Sequence, residues 1–232
     1  MSSATSGARA RARVEVTAAI KDEARRQLAA DGAAKLSLRA VARELGMVSS
    51  ALYRYFPSRD DLLTALIIDA YDSLGAAAEE AHAEVASAEP VRRWTTVCEA
   101  VRTWALAHPH EYALIYGSPV PGYSAPSSTI EAAARVGQLL IGILRDAHQG
   151  RGVAARPLPG GLRPEAERIA ADLAPDLPPA VAAALVAAWA QLFGLVGFEV
   201  FGQFNRVVED RSAFFSYAAT QLAHGVGLVN QG

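Results

Sequence analysis

The chain has 232 residues, 51% of them hydrophobic but only 7% aromatic, with a formal net charge of −2 and one cysteine, Cys98. That length can bury a core as one large or two modest domains, and the dominance of alanine and leucine over aromatics favours helices over a sheet. A lone cysteine excludes an intrachain disulfide and fits a reducing cytosol; the N-terminus lacks an apolar signal core, and no uninterrupted apolar run is expected to span a bilayer, so a cytoplasmic protein off the membrane is expected.

The charge is unevenly spread. Residues 1–60 carry eleven Lys/Arg against six Asp/Glu, which leaves the remainder acidic. A basic head on an acidic body suits a protein that presents one end to a polyanion.

Residues 1–13 are rich in Ser, Ala, Gly and Arg and read as a disordered arm. Its Arg9, Arg11 and Arg13 either reach a minor groove or belong to a solvated tail. A helix is expected from Val14 to Asp31, with Val16, Ile20, Ala24 and Leu28 recurring every four residues and Gly32 ending it.

Two short helices broken at a glycine follow between Ser37 and Phe56. Ser37 is a good N-cap, and Leu38, Val41, Ala42 and Leu45 form one buried stripe at i, i+3, i+4, i+7. Gly46 sits where the chain must turn, because glycine enters the left-handed region without penalty. Ser49 offers a second N-cap, and Met47 and Val48 can cover the turn. In the second helix Leu52 and Phe56 define the buried face, about 40° apart at 100° per residue. Ser50, Ala51 and Arg54 then point outward, with Tyr53 and Tyr55 on opposite edges. Small or hydrogen-bonding groups permit close approach to base edges, and tyrosine hydroxyls suit the flanking phosphates. Packing inside an all-α core is the alternative, and these residues make poor packing material. The next helix starts at Ser58-Arg59-Asp60-Asp61 after Pro57, a capping-box-like start, with Leu62, Leu63, Leu66, Ile67, Ala70, Tyr71 and Leu74 on its apolar stripe towards Ala86. Arg59, in its first turn, is placed either to meet a phosphate or to pair with Asp60 or Asp61.

Leu36-Ser37-Leu38-Arg39-Ala40-Val41-Ala42, then Leu45-Gly46, then Leu52-Tyr53-Arg54-Tyr55-Phe56-Pro57-Ser58-Arg59-Asp60-Asp61-Leu62-Leu63, closely resembles the DNA-binding signature of TetR-family transcriptional regulators. The resemblance covers the first quarter of the chain. It implies an all-α fold: an N-terminal three-helix helix-turn-helix domain (residues 14–58, after the arm 1–13) followed by a helical effector-binding and dimerisation domain (residues 59–232).

Beyond Ser87-Ala88-Glu89-Pro90 a helix carries Trp94, Val97, Cys98, Val101, Trp104 and Ala105. His108-Pro109-His110-Glu111 ends it and opens a short helix from Tyr112 to Tyr116. A turn-rich loop runs from Gly117 to Pro126, an amphipathic helix spans Ile130 to His148, residues 150–163 read as a flexible connector, and a short helix covers Pro164 to Leu173. The most apolar helix, Ala180 to Phe201, is apolar nearly all round, which implies burial on every side. The last helix runs from about Asp210 to Leu228. These two terminal helices (about 180–201 and 210–228) suit a four-helix homodimer interface, since a head that reads few base pairs gains by binding two half-sites. Trp104-Ala105-Leu106-Ala107-His108-Pro109-His110, Tyr112, Pro119-Val120-Pro121-Gly122-Tyr123 and Trp189-Ala190-Gln191-Leu192-Phe193-Gly194 look like the WHG-type C-terminal subclass of the same family, which implies a small-molecule effector.

An enzyme is the weaker reading. His108, His110 and Glu111 lack metal-ligand spacing and a third partner, so no metal or cofactor is expected, and Cys98 lies on an apolar stripe as packing. Trp94, Trp104, Tyr112, Tyr116, Phe193 and Phe198 are the candidate lining of a pocket for an apolar or aromatic effector, though each taken singly also suits plain core. The expected function is a dimeric repressor released by that effector from a palindromic double-stranded DNA operator. Arg39, Ser50, Ala51 and Arg54 read bases; Ser37, Ser49, Tyr53, Tyr55 and Arg59 hold the backbone. A constitutive DNA-binding dimer without an effector is the alternative.

Overall fold

The computed structural model describes the backbone at residues 2–150, 152–154 and 156–229, and the side chains among these from residue 7 onward. Met1, residues 151 and 155 of the expected connector, and residues 230–232 lie outside the described residues. Among the described residues the fold is all-α: ten α-helices, three short 3-10 turns and no strand. The helices are α1 (Ser2–Asp31), α2 (Leu38–Glu44), α3 (Ser49–Leu52), α4 (Arg59–Glu84), α5 (Pro90–Ala107), α6 (Pro109–Tyr116), α7 (Ile130–Gly150), α8 (Arg163–Leu173), α9 (Pro179–Val200) and α10 (Arg211–Gly225).

The chain divides into two compact units, residues 1–71 with 110–130, and residues 72–109 with 131–232. The first contains the expected head and is larger than residues 14–58. Ile20, Ala24 and Leu28 of α1, Leu36, Leu38, Val41 and Ala42 around α2, Leu52 and Phe56 around α3, and Leu62, Leu63 and Leu66 of α4 form one buried cluster. Leu114, Val120 and Tyr123, far along the chain, pack against it. One long and two short helices enclose too little apolar surface to be stable alone; the first half of α4 and the 110–130 segment complete the core. Thr64 and Tyr123 share a hydroxyl–hydroxyl bond of 2.9 Å, and Arg25 reaches both Asp69 (2.7 Å) and Glu111 (3.1 Å).

α1 departs from the expectation of an irregular arm. It begins at Ser2 rather than Val14, so residues 2–13 are helical. That stretch contains one glycine and no proline, and seven of its residues are alanine or arginine, all compatible with continuing the helix backwards from Val14.

In the second unit α5 packs on α9 and α10, and α8 packs on α9. Trp94, Val97, Cys98 and Val101 of α5 are fully buried, as are Leu140, Ile143 and Leu144 of α7 and Leu192 and Val196 of α9. Arg135 of α7 lies across α4, paired with Asp72 and Glu79. Gly75 allows that approach, since a Cβ there would stand 2.8 Å from the Arg135 Cβ.

α9 corrects one expectation. It is long and apolar enough to cross a membrane by length and composition, with mean hydropathy 2.0 over 18 residues, while Gln191 and Glu199 interrupt its apolar run. It is not buried all round: only 39% of that window is buried in the chain. Leu185, Leu192 and Val196 face inward, while Phe198 is 54% exposed. The core helix of a water-soluble protein passes the same length and hydropathy test, and α9 carries a buried Glu199 paired with Arg102 of α5.

Candidate nucleic-acid interface

The pair α2–α3 is set by local chemistry. Ser37 is extended (φ −134°), and its hydroxyl accepts from the Ala40 N–H at 3.4 Å, closing the N-terminus of α2. Its own N–H donates to the Gln27 side chain at 3.5 Å, tying α2 to α1. At the other end Gly46 has φ +63°; its N–H donates to Arg43 O (3.1 Å) and that of Met47 to Ala42 O (2.8 Å). This two-bond closure satisfies the last carbonyls of α2 and fixes the direction in which the chain leaves, and it requires a residue tolerant of positive φ.

α3 is shorter than expected. Val48, not Ser49, is the N-cap; no side chain caps the helix, and Ser49 is its first helical residue. After Leu52 the chain tightens: Arg54 N–H donates to Ala51 O (3.3 Å) and Tyr55 N–H to Leu52 O (2.8 Å). In such 3-10 winding residues i and i+3 eclipse. Tyr55 is therefore carried over Leu52 towards the core and is half-buried, while Tyr53 is 41% exposed. The two tyrosines are not the symmetric edges expected from regular helical angles.

Ser49, Ser50 and Arg54 are exposed and Ala51 is half-buried; Arg39 is exposed on the first turn of α2. What separates the cations of this unit is whether they are already paired. Lys21 bonds Asp69; Arg25 bonds Asp22, Asp69 and Glu111; Arg26 bonds the buried Glu23; Lys35 bonds Asp31; Arg43 bonds Glu44. Arg39 and Arg54 have no side-chain hydrogen bond or ion pair among the described residues, and the same holds for the hydroxyls of Ser49 and Ser50. Unpaired donors on a small, exposed helix face are what base edges and phosphates need.

Arg59 is a correction. Its guanidinium donates to the backbone carbonyls of Leu36 (3.2 Å), Ala33 (2.8 Å) and Ala34 (3.4 Å), and it also stands 3.6 Å from Asp60. It fastens the α1–α2 connection to the start of α4, so its fork is spent on the fold rather than held ready for phosphate. Ser58, beside it, caps α4 in reciprocal bonds with Asp61 (2.7 and 3.1 Å). Val48, expected to cover the turn, is 70% exposed at the α3 N-cap, and Arg13, expected in an irregular arm, has its guanidinium 5.1 Å from the Tyr55 ring centroid. The α1 stripe continued one turn backwards from Ile20 and Val16 points to Arg13, but the helix was expected to start after it.

The six expected pocket residues are divided. Tyr112 and Tyr116 belong to the first unit, their rings tilted at 37° with centroids 5.3 Å apart, with Tyr116 edge-on to Tyr71 (5.9 Å); burial raises the pKa of all three phenols. Trp94, Trp104, Phe193 and Phe198 belong to the second. Trp104 donates to the Ser73 hydroxyl (2.9 Å) and stacks on His108, whose Nδ1 stands 3.0 Å from Trp104 O. Phe193 is buried beside Trp189 (4.8 Å). Trp94 is fully buried, and its Nε1 is a buried donor without a partner among the described residues. Phe198 stands apart from these: it lies about 200° round α9 from the inward Val196 and lines an open groove of about 480 Å³ with Phe204, Phe214 and Tyr217. The Cys98 thiol is fully buried, which raises its pKa and leaves it a packing group.

An α-helical protein with a capped helix-turn-helix and unpaired cations on its exposed face belongs to the class of helix-turn-helix DNA-binding proteins. Similarity to known proteins narrows this. Residues 20–66 match the family described as bacterial regulatory proteins, tetR family, and residues 94–222 match the family described as tetracyclin repressor-like, C-terminal domain. The chain is 38% identical over 206 residues to the HTH-type transcriptional regulator Rv1816 of Mycobacterium tuberculosis, covering 86% of each chain, and equally to Mb1846 of Mycobacterium bovis. Its fold is similar to that of the regulatory protein SCO4313, with TM-score 0.75, 34% identity, and 92% of this chain and 98% of that one covered. The chain belongs to the TetR family of DNA-binding transcriptional regulators.

Proposed function

We propose that this regulator is a homodimeric repressor released from a palindromic operator by a small apolar or aromatic effector. The observation that carries the reading is the pair of unpaired arginines, Arg39 on α2, whose ends are closed by Ser37 and Gly46, and Arg54 in the turn after α3. Two arginines with Ser50 and Ala51 read few base pairs, so affinity and specificity call for two heads on two half-sites, about 34 Å apart. The homodimer would form through α9 and α10, whose aromatic face is exposed in the single chain: Phe198 54%, Phe201 45%, Phe214 38%, Tyr217 63%. Residues 14–58 act as the DNA-binding domain and the helices after them as the effector-binding and dimerisation domain.

The effector is supported by the buried Trp94 Nε1, which a ligand acceptor would satisfy, and by the match of residues 94–222 to the repressor-like C-terminal domain. An effector shifts the head spacing only through different affinity for the two arrangements. The test is a mobility-shift series on DNA flanking its own gene and on shuffled DNA of equal length, with a thermal-shift screen of apolar and aromatic compounds. The reading expects preference for the flanking DNA, and a compound that both raises Tm and releases the DNA. Equal binding to both duplexes would remove the regulator's specific operator; stabilisation by no compound would favour the constitutive dimer.

A further inference from the structure

We propose that the N-terminal turns of α1 extend the DNA-binding surface, with Arg9 and Arg13 gripping the phosphate backbone beside α3. The inference deepens the DNA-binding reading and rests on it.

The core-facing stripe of α1 is Leu28, Ala24 and Ile20, all buried, then the half-buried Val16. Continued backwards at 100° per residue, the same stripe meets Arg13, about 20° to one side of Ile20, and then Arg9, about 20° to the other. Where this face runs past the head's core it changes from apolar to cationic. Arg11 lies about 160° from Arg13, on the opposite side and shared with Glu15. One helix thus carries two arginines on the head's side and a third facing away.

The position of Arg13 is set by an aromatic neighbour. Its guanidinium stands over the Tyr55 ring at 5.1 Å, and Tyr55 follows closely on α3. The cationic face therefore begins at the helix-turn-helix itself, and Arg9 sits one helical turn, about 5.4 Å, beyond it along α1. A guanidinium stacked on an aromatic ring keeps its in-plane N–H donors free for an anion.

The pairing pattern on α1 agrees. Lys21, Arg25 and Arg26 are neutralised by Asp69, Asp22, Glu111 and Glu23. Arg9, Arg11 and Arg13 are exposed and have no ion pair among the described residues. Like charges at i, i+4 repel, and cations at a helix N-terminus oppose its dipole. A neighbouring polyanion reverses both penalties, which gives this stretch a reason to be cationic on the side where DNA lies.

The test uses the full chain and measures Kd against salt concentration for two duplexes, one from the DNA flanking its own gene and one shuffled to equal length. The double variant R9A/R13A should flatten the log–log slope by about 0.9 for each phosphate no longer neutralised, about 1.8 per head. Its affinity should fall by the same factor on both duplexes, because phosphate bonds carry no sequence information. R11A, with the same charge change per site on the other face, should leave the slope at the wild-type value. Thermal melts keep folding separate, since all three side chains are exposed. An unchanged slope in R9A/R13A, or an equal per-residue flattening in R11A, overturns the proposal while DNA binding stands. Failure of the wild-type chain to bind either duplex at low salt overturns DNA binding itself and the proposal with it.

Discussion

Arg102 and Glu199 meet in a two-pronged ion pair, Nε to Oε2 and Nη2 to Oε1, both at 2.7 Å, with Glu199 8% exposed and the Arg102 side chain 13% exposed. The pair joins α5 to α9 across 97 positions of sequence, and Arg102 also lies over the Phe215 ring of α10 at 5.4 Å. Its carboxylate bond raises the Arg102 pKa further above its ordinary value. Removing one member strands a buried charge, so Glu199→Ala or Arg102→Ala should each destabilise by about 3–5 kcal/mol, whereas replacing both with Met and Leu should cost far less. Urea unfolding of the three variants checks this; an additive double loss would contradict it.

Arg59 and Arg54 are five residues apart and should fail differently. Arg59→Ala removes the donors that satisfy the Leu36 and Ala33 carbonyls, which should lower stability by about 2–3 kcal/mol and weaken binding to all DNA in step with the loss of folded head. Arg59→Lys should not rescue it, since an ammonium cannot span both carbonyls as a planar fork does.

Arg54→Ala should leave the melting temperature unchanged, because its side chain has no intramolecular partner among the described residues. Its effect should appear as about 1–3 kcal/mol lost on the operator and relaxed preference at one base position. A selection of bound sequences from a randomised pool reads this directly.

The exposed aromatic face of α9 and α10 predicts the oligomeric state. Phe198→Glu with Tyr217→Glu alters two side chains more than half exposed in the single chain, so the helices should still fold. Light scattering should give half the wild-type mass, and affinity for a palindromic duplex should fall while affinity for a half-site is retained. A wild-type mass equal to one chain would refute the dimer.

His82 sets a pH dependence. Its Nε2 accepts from Arg93 Nε at 3.0 Å, and Arg93 also holds Asp146 at 2.8 Å. Burial first, and then the Arg93 charge, lower its pKa below the ordinary 6.5, against an opposing pull from Asp146. The folded state then binds fewer protons than the unfolded one between the two pKa values. Stability should accordingly fall as pH drops through 6.5 towards the folded value, and be flat above it. His82→Gln, which keeps an acceptor for Arg93, should remove this part of the slope in melts between neutral and mildly acidic pH.

Local signals carried the head. Ser37 caps α2 by accepting from an N–H three residues on, the stripe from Leu38 to Val41 and Ala42 lies within about one turn, and Gly46 ends the helix by its own φ. Each depends on neighbours a few residues away, so each is visible in the order of residues. The same reasoning misplaced Tyr55, because the change from α to 3-10 winding after Leu52 has no sequence mark, and it started α1 too late because alanine and arginine next to glycine and serine suit both helix and tail.

The sequence by itself determined the all-α class, the helix-turn-helix and the family, since capping, periodicity and motif are short-range. Only the tertiary structure decided which cations are free. Arg59 is spent on carbonyls 23 and 26 positions away, Arg25 on a carboxylate 86 positions away, and Arg13 is held by Tyr55, while Arg39 and Arg54 are left unpaired. An ionised side chain bonds to whatever packing brings within about 3 Å, and what packing brings there is a property of the whole fold.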